Sequence, residues 1–127
     1  MNIFELTSNA KILPTLKLFK NNDRTYLDIN RKEFEEIKTF SDNLGIEIFA
    51  SIFDNEKLKW CEELSIKLYK IASRTVEENI NLCEKIISTN KLVIISLGMY
   101  DYKNKGVPFK NSNVKYLYCV SKYPTSL

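Results

Sequence analysis

A lysine in the middle of a short apolar run is the first residue whose chemistry needs explaining. Lys67 to Ser73 reads Lys-Leu-Tyr-Lys-Ile-Ala-Ser, a strand pattern with Lys70 at its centre and a hydroxyl at its end. Alternate side chains of a strand face opposite ways, so Tyr69 and Ile71 share one face while Lys70 and Ala72 share the other. Covering both faces would bury an ammonium, which is costly unless an anion meets it. Two partners would satisfy it: a structural carboxylate such as Glu47, or the phosphate or carboxylate of a bound ligand. Hydroxyls recur at the ends of the other apolar runs, at Ser51, Ser73, Ser96 and Ser121, with Tyr123 two residues beyond the last. A lone serine in such a place is usually a turn or a helix cap. Repeated around one lysine, the pattern describes a small-anion site, with the lysine supplying charge and the serines donating hydrogen bonds.

The elements that would position these residues alternate along the chain. Asn30 and Glu33 have capping-box spacing, and Phe34, Ile37, Phe40 and Leu44 recur at helical intervals before Gly45, which predicts an amphipathic helix ending at that glycine. Ile46 to Ser51 is strand-like, and Asp54 can cap a helix whose stripe is Leu58, Cys61 and Leu64, with Trp60 beside it. Leu68 to Ser73 is the next strand. Thr75 and Glu78 again have capping-box spacing, Asn79 is an alternative cap, and Ile80, Cys83, Ile86 and Ile87 would form the buried face that follows. Leu92 to Leu97 is nearly all apolar, as in a parallel strand covered on both sides. Tyr100 to Asn113 lacks a helical period and contains Gly106 and Pro108, so an irregular crossover is expected before a last strand, Val114 to Ser121. Strands alternating with helices predict parallel βαβ units, whose ligands sit at the carboxyl ends of the strands. Residues 1–30 suggest only a turn at Asn21-Asn22-Asp23 and a short helix near Leu16, and form a poorly assigned segment ahead of a domain over 31–127.

Composition narrows the function. The chain has 127 residues, 44% hydrophobic and 28% charged, with three Gly and three Pro, as expected of one ordinary globular unit. A net charge of +3, with both signs interspersed, is no nucleic-acid footprint. No apolar run approaches the roughly 20 residues of a membrane span, and the first residues lack the shape of a signal peptide. Cys61, Cys83 and Cys119 have no metal-binding spacing and lie among apolar neighbours, which predicts buried, reduced thiols and a cytoplasmic protein. Histidine is absent, which removes histidine-based triads, histidine general bases and histidine metal ligands from this chain.

Four segments carry a resemblance. Ile46-Glu-Ile-Phe-Ala-Ser-Ile-Phe-Asp54, Tyr69-Lys-Ile-Ala-Ser73, Val93-Ile-Ile-Ser-Leu-Gly-Met99 and Tyr118-Cys-Val-Ser-Lys-Tyr-Pro-Thr125 resemble the N-acetylneuraminate (sialic acid) synthase family, from about Lys32 to the C-terminus. The resemblance implies a (β/α)8 TIM barrel that condenses phosphoenolpyruvate with an N-acetylated hexosamine such as N-acetylmannosamine or its 6-phosphate, usually with divalent manganese or magnesium. It places Lys70 and Ser73 on the family's phosphoenolpyruvate-binding Lys and Ser, and Ser96 on a phosphate-contacting Ser. Ser51 falls where Thr is usual, and Ser121, where some members have Asn, lies with Tyr123 at positions approaching the sugar. Four positions depart from the pattern: Ile52 and Ser126 for Pro, Arg74 for Gly, and Leu97 for Thr.

A whole barrel needs about 250 residues. The expectation is therefore an α/β fold, a partial (β/α)8 barrel corresponding to about strands 3 to 6. The family's first two strands, its catalytic acid, its metal-binding histidines and its antifreeze-like domain have no counterpart in this reading. The chain reads as a fragment of a nonulosonic acid synthase, inactive alone, whose open edges would be met by a complementing barrel half or by self-association. The alternatives are a non-catalytic phosphate-binding module and a structural remnant in which Lys70 pairs with Glu47.

Overall fold

The computed structural model describes residues 5–6 and 29–122. It contains one parallel sheet in which neighbours in space are neighbours in sequence: β1 (Glu5–Leu6), β2 (Phe49–Ser51), β3 (Leu68–Ile71), β4 (Leu92–Ser96) and β5 (Val114–Leu117). The expected α/β architecture, part of a (β/α)8 barrel, is present, and the four expected strands are β2 to β5. β1 precedes them and pairs with β2, Glu5 opposite Phe49 and Leu6 opposite Ala50. A two-residue strand carries no period to read, so no local pattern announces it.

The helices begin where their caps dictate. Asn30 and Glu33 form a reciprocal capping box at the start of α1 (Arg31–Asn43), and Gly45 follows its end with φ +66°. The Asp54 carboxylate accepts from the Lys57 amide at 2.7 Å to start α2 (Asn55–Glu63). The capping box expected at Thr75 and Glu78 does not form. Those residues lie inside a short helix, α3 (Ser73–Glu78), and Asn79 breaks the chain and caps α4 (Ile80–Ile87) through the Leu82 amide at 3.1 Å. The buried face of α4 is therefore Leu82, Cys83, Ile86 and Ile87, and Ile80 is 44% exposed. α1 departs likewise from its expected stripe. Phe34 and Ile37 reach the core and Ser41 is buried further along the helix, while Phe40 and Leu44 remain exposed because they lie off the 34–37–41 stripe.

Each strand is shorter than its apolar run, since β2 to β5 pair only where the partner strand is also extended. The crossover after β4 is mostly irregular, with one helical turn, α5 (Tyr102–Lys105), capped by Asp101. It is pinned by Tyr116, whose hydroxyl accepts from the Phe109 amide at 2.8 Å and donates to the Phe109 carbonyl at 2.6 Å. Asn113 ties the start of β5 down by donating to the carbonyls of Ile87 and Lys91, each at 2.9 Å.

The register separates the two faces of the sheet. Ala50, Tyr69, Ile71, Val93, Ile95 and Leu97 join α1 to α4 in one apolar cluster that holds the core. Burying these side chains against the helices stabilises the fold by about 1.5–3 kcal/mol for each large one. Tyr69 is fully buried there, its hydroxyl donating to Glu62 on α2, while Lys91 donates to Glu62 at 2.8 Å and to the Tyr69 oxygen at 3.1 Å. The opposite face carries Phe49, Ser51, Leu68, Lys70, Leu92, Ile94, Ser96, Lys115 and Leu117. On this face Leu92 and Leu117 are 39% and 47% exposed, while Phe49, Ser51, Leu68 and Ser96 are buried. All the helical packing lies on one side and the candidate lysine on the other.

Candidate anion-binding site

Parallel pairing brings the first two candidate residues together. Ser51 lies opposite Lys70, and Lys70 opposite Ile94, so Ser51 and Lys70 stand side by side, roughly 5 Å apart in backbone, on the face turned away from the helices. Ser96 lies two residues beyond Ile94 on the same face, one step nearer the carboxyl ends. The Ile52 amide donates to the Lys70 carbonyl at 3.1 Å, extending the ladder one residue past β2. A proline there could not donate that bond.

Ser51 is the residue this site must explain. It is 4% exposed, and its Oγ is a buried side-chain polar atom without a hydrogen-bond partner among the described residues. Leaving a buried hydroxyl unsatisfied costs about 1–3 kcal/mol, so such atoms are rare in folded proteins and commonly mark a ligand's place. Beside it Lys70 is half-buried, and loss of hydration pushes its ammonium below its ordinary range, against the opposing influence of the Cys119 thiol. Glu47, the carboxylate considered as a structural partner for Lys70, is instead bonded to Lys67 at 3.1 Å.

The second pair of candidates meets by a different route. Ser73 opens α3, just past the end of β3, and its hydroxyl lies 3.0 Å from that of Ser121. β5 ends at Leu117 rather than at Ser121, and the chain beyond it runs on beside Gly98 and reaches Ser73. Ser73 is buried and Ser121 exposed. The structure therefore contains two groupings at the carboxyl ends, Ser51–Lys70–Ser96 on the sheet face and Ser73–Ser121 across the loops. Tyr123 and Ser126 lie outside the described residues.

The departures from the family pattern acquire physical meaning. Arg74 neither blocks nor joins the sheet face: it runs along the exposed side of α3 to Glu78 at 3.3 Å. Leu97 is a core residue, 1% exposed, and its amide continues the ladder to Leu117 at 3.0 Å. Of the three thiols, Cys61 and Cys83 are buried as expected, and burial raises them to about 12 and about 11. Cys119 is exposed, contrary to expectation, because β5 has already left the sheet there. Among the described residues no group of three His, Cys, Asp or Glu could hold a metal ion, and no helix is long and apolar enough to cross a membrane. With no histidine in the chain and both buried thiols held protonated, the donors described do not fit the divalent metal that the resemblance implies.

Compared with known families, residues 14–127 match the model of the NeuB family. The chain belongs to the NeuB family. The match includes residues ahead of α1 that carried no assignable pattern. Among curated relatives of this NeuB-family chain, the N,N'-diacetyllegionaminic acid synthase of Campylobacter jejuni is 28% identical over 109 residues, which cover 77% of this chain and 31% of the relative. The pseudaminic acid synthase of Helicobacter pylori is 31% identical over 98 residues, covering 72% of this chain and 28% of the relative. The crystal structure of an N-acetylneuraminic acid (sialic acid) synthetase from Leptospira borgpetersenii, in complex with citrate, superimposes with a TM-score of 0.71 at 25% identity, covering 98% of this chain and 45% of that one. The chain spans 28% to 32% of the length of the curated relatives it matches.

Proposed function

We propose that this NeuB-family chain carries the phosphoenolpyruvate-binding part of a nonulosonic acid synthase barrel, for a reaction with an N-acetylated hexosamine such as N-acetylmannosamine. The observation that carries the reading is the buried, unpartnered hydroxyl of Ser51 in register with Lys70 on the open sheet face. An anion lying there supplies Ser51 with the hydrogen bond it lacks, and the half-buried ammonium of Lys70 beside it adds charge to hold that anion. Ser96, one step along the same face, and Ser73 with Ser121 supply further donors toward phosphate or carboxylate oxygens. In the synthase reaction the enol carbon of phosphoenolpyruvate attacks the aldehyde carbon of the open-chain sugar, water adds at the phosphate-bearing carbon, and phosphate leaves. The part assigned to these residues is to hold the phosphate, fix its orientation and stabilise its charge.

No step is derived through a metal, since the donors described do not fit one. That mismatch favours a second reading, a module that binds the anion without performing the condensation. The free thiols of Cys61 and Cys83 suit a reducing compartment, and a cytoplasmic location is part of this reading.

The test is thermal unfolding with and without millimolar phosphoenolpyruvate, beside a Lys70→Ala variant. A cooperative transition that the ligand raises only in the unmutated chain supports the site. An equal response from both, or none from either, defeats it. Turnover of phosphoenolpyruvate and N-acetylmannosamine with manganese, well above that of Lys70→Ala, would select the synthase over the binding module.

A further inference from the structure

Gly98 lies two residues past the end of β4, in the turn between Leu97 and Met99. Its backbone does not occupy the left-handed region, so any residue could adopt its conformation. What excludes a side chain is space. A methyl group built on Gly98 would overlap the Ser121 hydroxyl oxygen outright, and would stand 3.0 Å from the Ser121 amide nitrogen and 3.1 Å from the Cys119 carbonyl oxygen. These are atoms of the segment after β5 that brings the Ser121 hydroxyl within 3.0 Å of Ser73.

We infer that Gly98 is a positioning residue for the anion site: its missing side chain lets the 119–121 segment close over the end of β4 and set the Ser121 hydroxyl beside Ser73. The inference rests on the reading of this site as one for phosphoenolpyruvate. β3 brings Ser73, β4 brings Gly98, and the chain after β5 brings Ser121, so three consecutive strands converge through one close contact. The Ser73–Ser121 hydrogen bond holds both hydroxyls in place before a ligand arrives, which reduces the ordering that binding must accomplish. A side chain at 98 would separate them while leaving Ser51, Lys70 and Ser96 on their strands.

The experiment measures the affinity of the full 127-residue chain for phosphoenolpyruvate by calorimetry, in the unmutated protein and in Gly98→Ala, Ser121→Ala, the double variant and Lys70→Ala. Gly98→Ala should weaken binding about tenfold or more, the effect of losing a hydrogen bond to a charged ligand. Ser121→Ala should weaken it comparably, and the double variant no further than the weaker single, because both changes remove one interaction. Additive losses would indicate a general structural role for Gly98 and overturn the inference. So would binding within twofold of normal in Gly98→Ala while Lys70→Ala abolishes it, a result that leaves the site itself standing. No binding by the unmutated chain, or binding that Lys70→Ala leaves intact, overturns the site and the inference together. Should Gly98→Ala unfold the chain, Ser121→Gly in the same background removes the atom nearest the added methyl. Recovery of a cooperative transition would support the contact, and continued unfolding would overturn it.

Discussion

Ser51→Ala separates what a residue does for the fold from what it does for a ligand. In the ligand-free chain the Ser51 oxygen is buried without a hydrogen bond. Such a group costs about 1–3 kcal/mol, whereas alanine's poorer fit to a strand returns only a fraction of that. Ser51→Ala should therefore stabilise the ligand-free protein by about 1 kcal/mol and raise its midpoint by about 3 °C for a domain of this size. Phosphoenolpyruvate should respond in the opposite sense, its affinity falling about tenfold or more with the loss of a charge-assisted hydrogen bond. Paired melting curves with and without ligand read both effects, with circular dichroism confirming an unchanged fold. A lower midpoint in the variant would mean that the hydroxyl is satisfied in the ligand-free protein. A raised midpoint with unaltered affinity would refute the claim that the hydroxyl is kept for a ligand.

Four further outcomes follow from the same geometry. Because burial lowers Lys70 below 10.5, the unfolded chain holds its proton more firmly, so ligand-free stability should rise with pH through that alkaline window while phosphoenolpyruvate affinity falls; Lys70→Met should flatten both trends in a pH series of melts and titrations. At the acid end, burial alone would raise Glu62, but hydrogen bonds from Lys91 and Tyr69 overcome it and hold the carboxyl below its usual 4.5. Its contribution is thus present above that value and lost as pH falls through the lowered one, and Glu62→Gln should flatten the acid limb of the stability curve. Tyr69→Phe should cost about 1–3 kcal/mol in denaturant titration, since it leaves Glu62 and Lys91 without their buried partner; a loss below 0.5 kcal/mol, roughly the surface-substitution level, would contradict it. A thiol reagent should label Cys119 in the native chain and reach Cys61 and Cys83 only after denaturation, counted by mass spectrometry.

The sheet was legible because strand alternation is a strong signal: Lys70 could be assigned to the face opposite Tyr69 from seven residues of sequence, and register then brought Ser51 beside it. Capping chemistry likewise marked α1 and α2, where Asn30 and Asp54 act as their side chains allow. Legibility failed where tertiary contact overrides local pattern. Val114 to Ser121 continues to read as a strand because its residues suit one, yet pairing stops at Leu117 and the remainder passes beside Gly98 to reach Ser73. That path exposes Cys119, makes the Ser73–Ser121 bond, and gives Gly98 its role, none of which has a local signature. Phe40, Leu44 and Ile80 match a helical period but fall outside the packed face, which only the placement of neighbouring elements decides.

The bond from the Ile52 amide to the Lys70 carbonyl also sets one wall of this site. It holds the backbone at Lys70 to the neighbouring strand one residue past β2, so the lysine's carbonyl is committed to the sheet and its side chain is what meets a ligand. On the other side the Ser73–Ser121 hydrogen bond ties the segment after β5 to the start of α3. Each wall of the anion site is thus set before a ligand arrives, one by the backbone ladder and the other by a pair of hydroxyls.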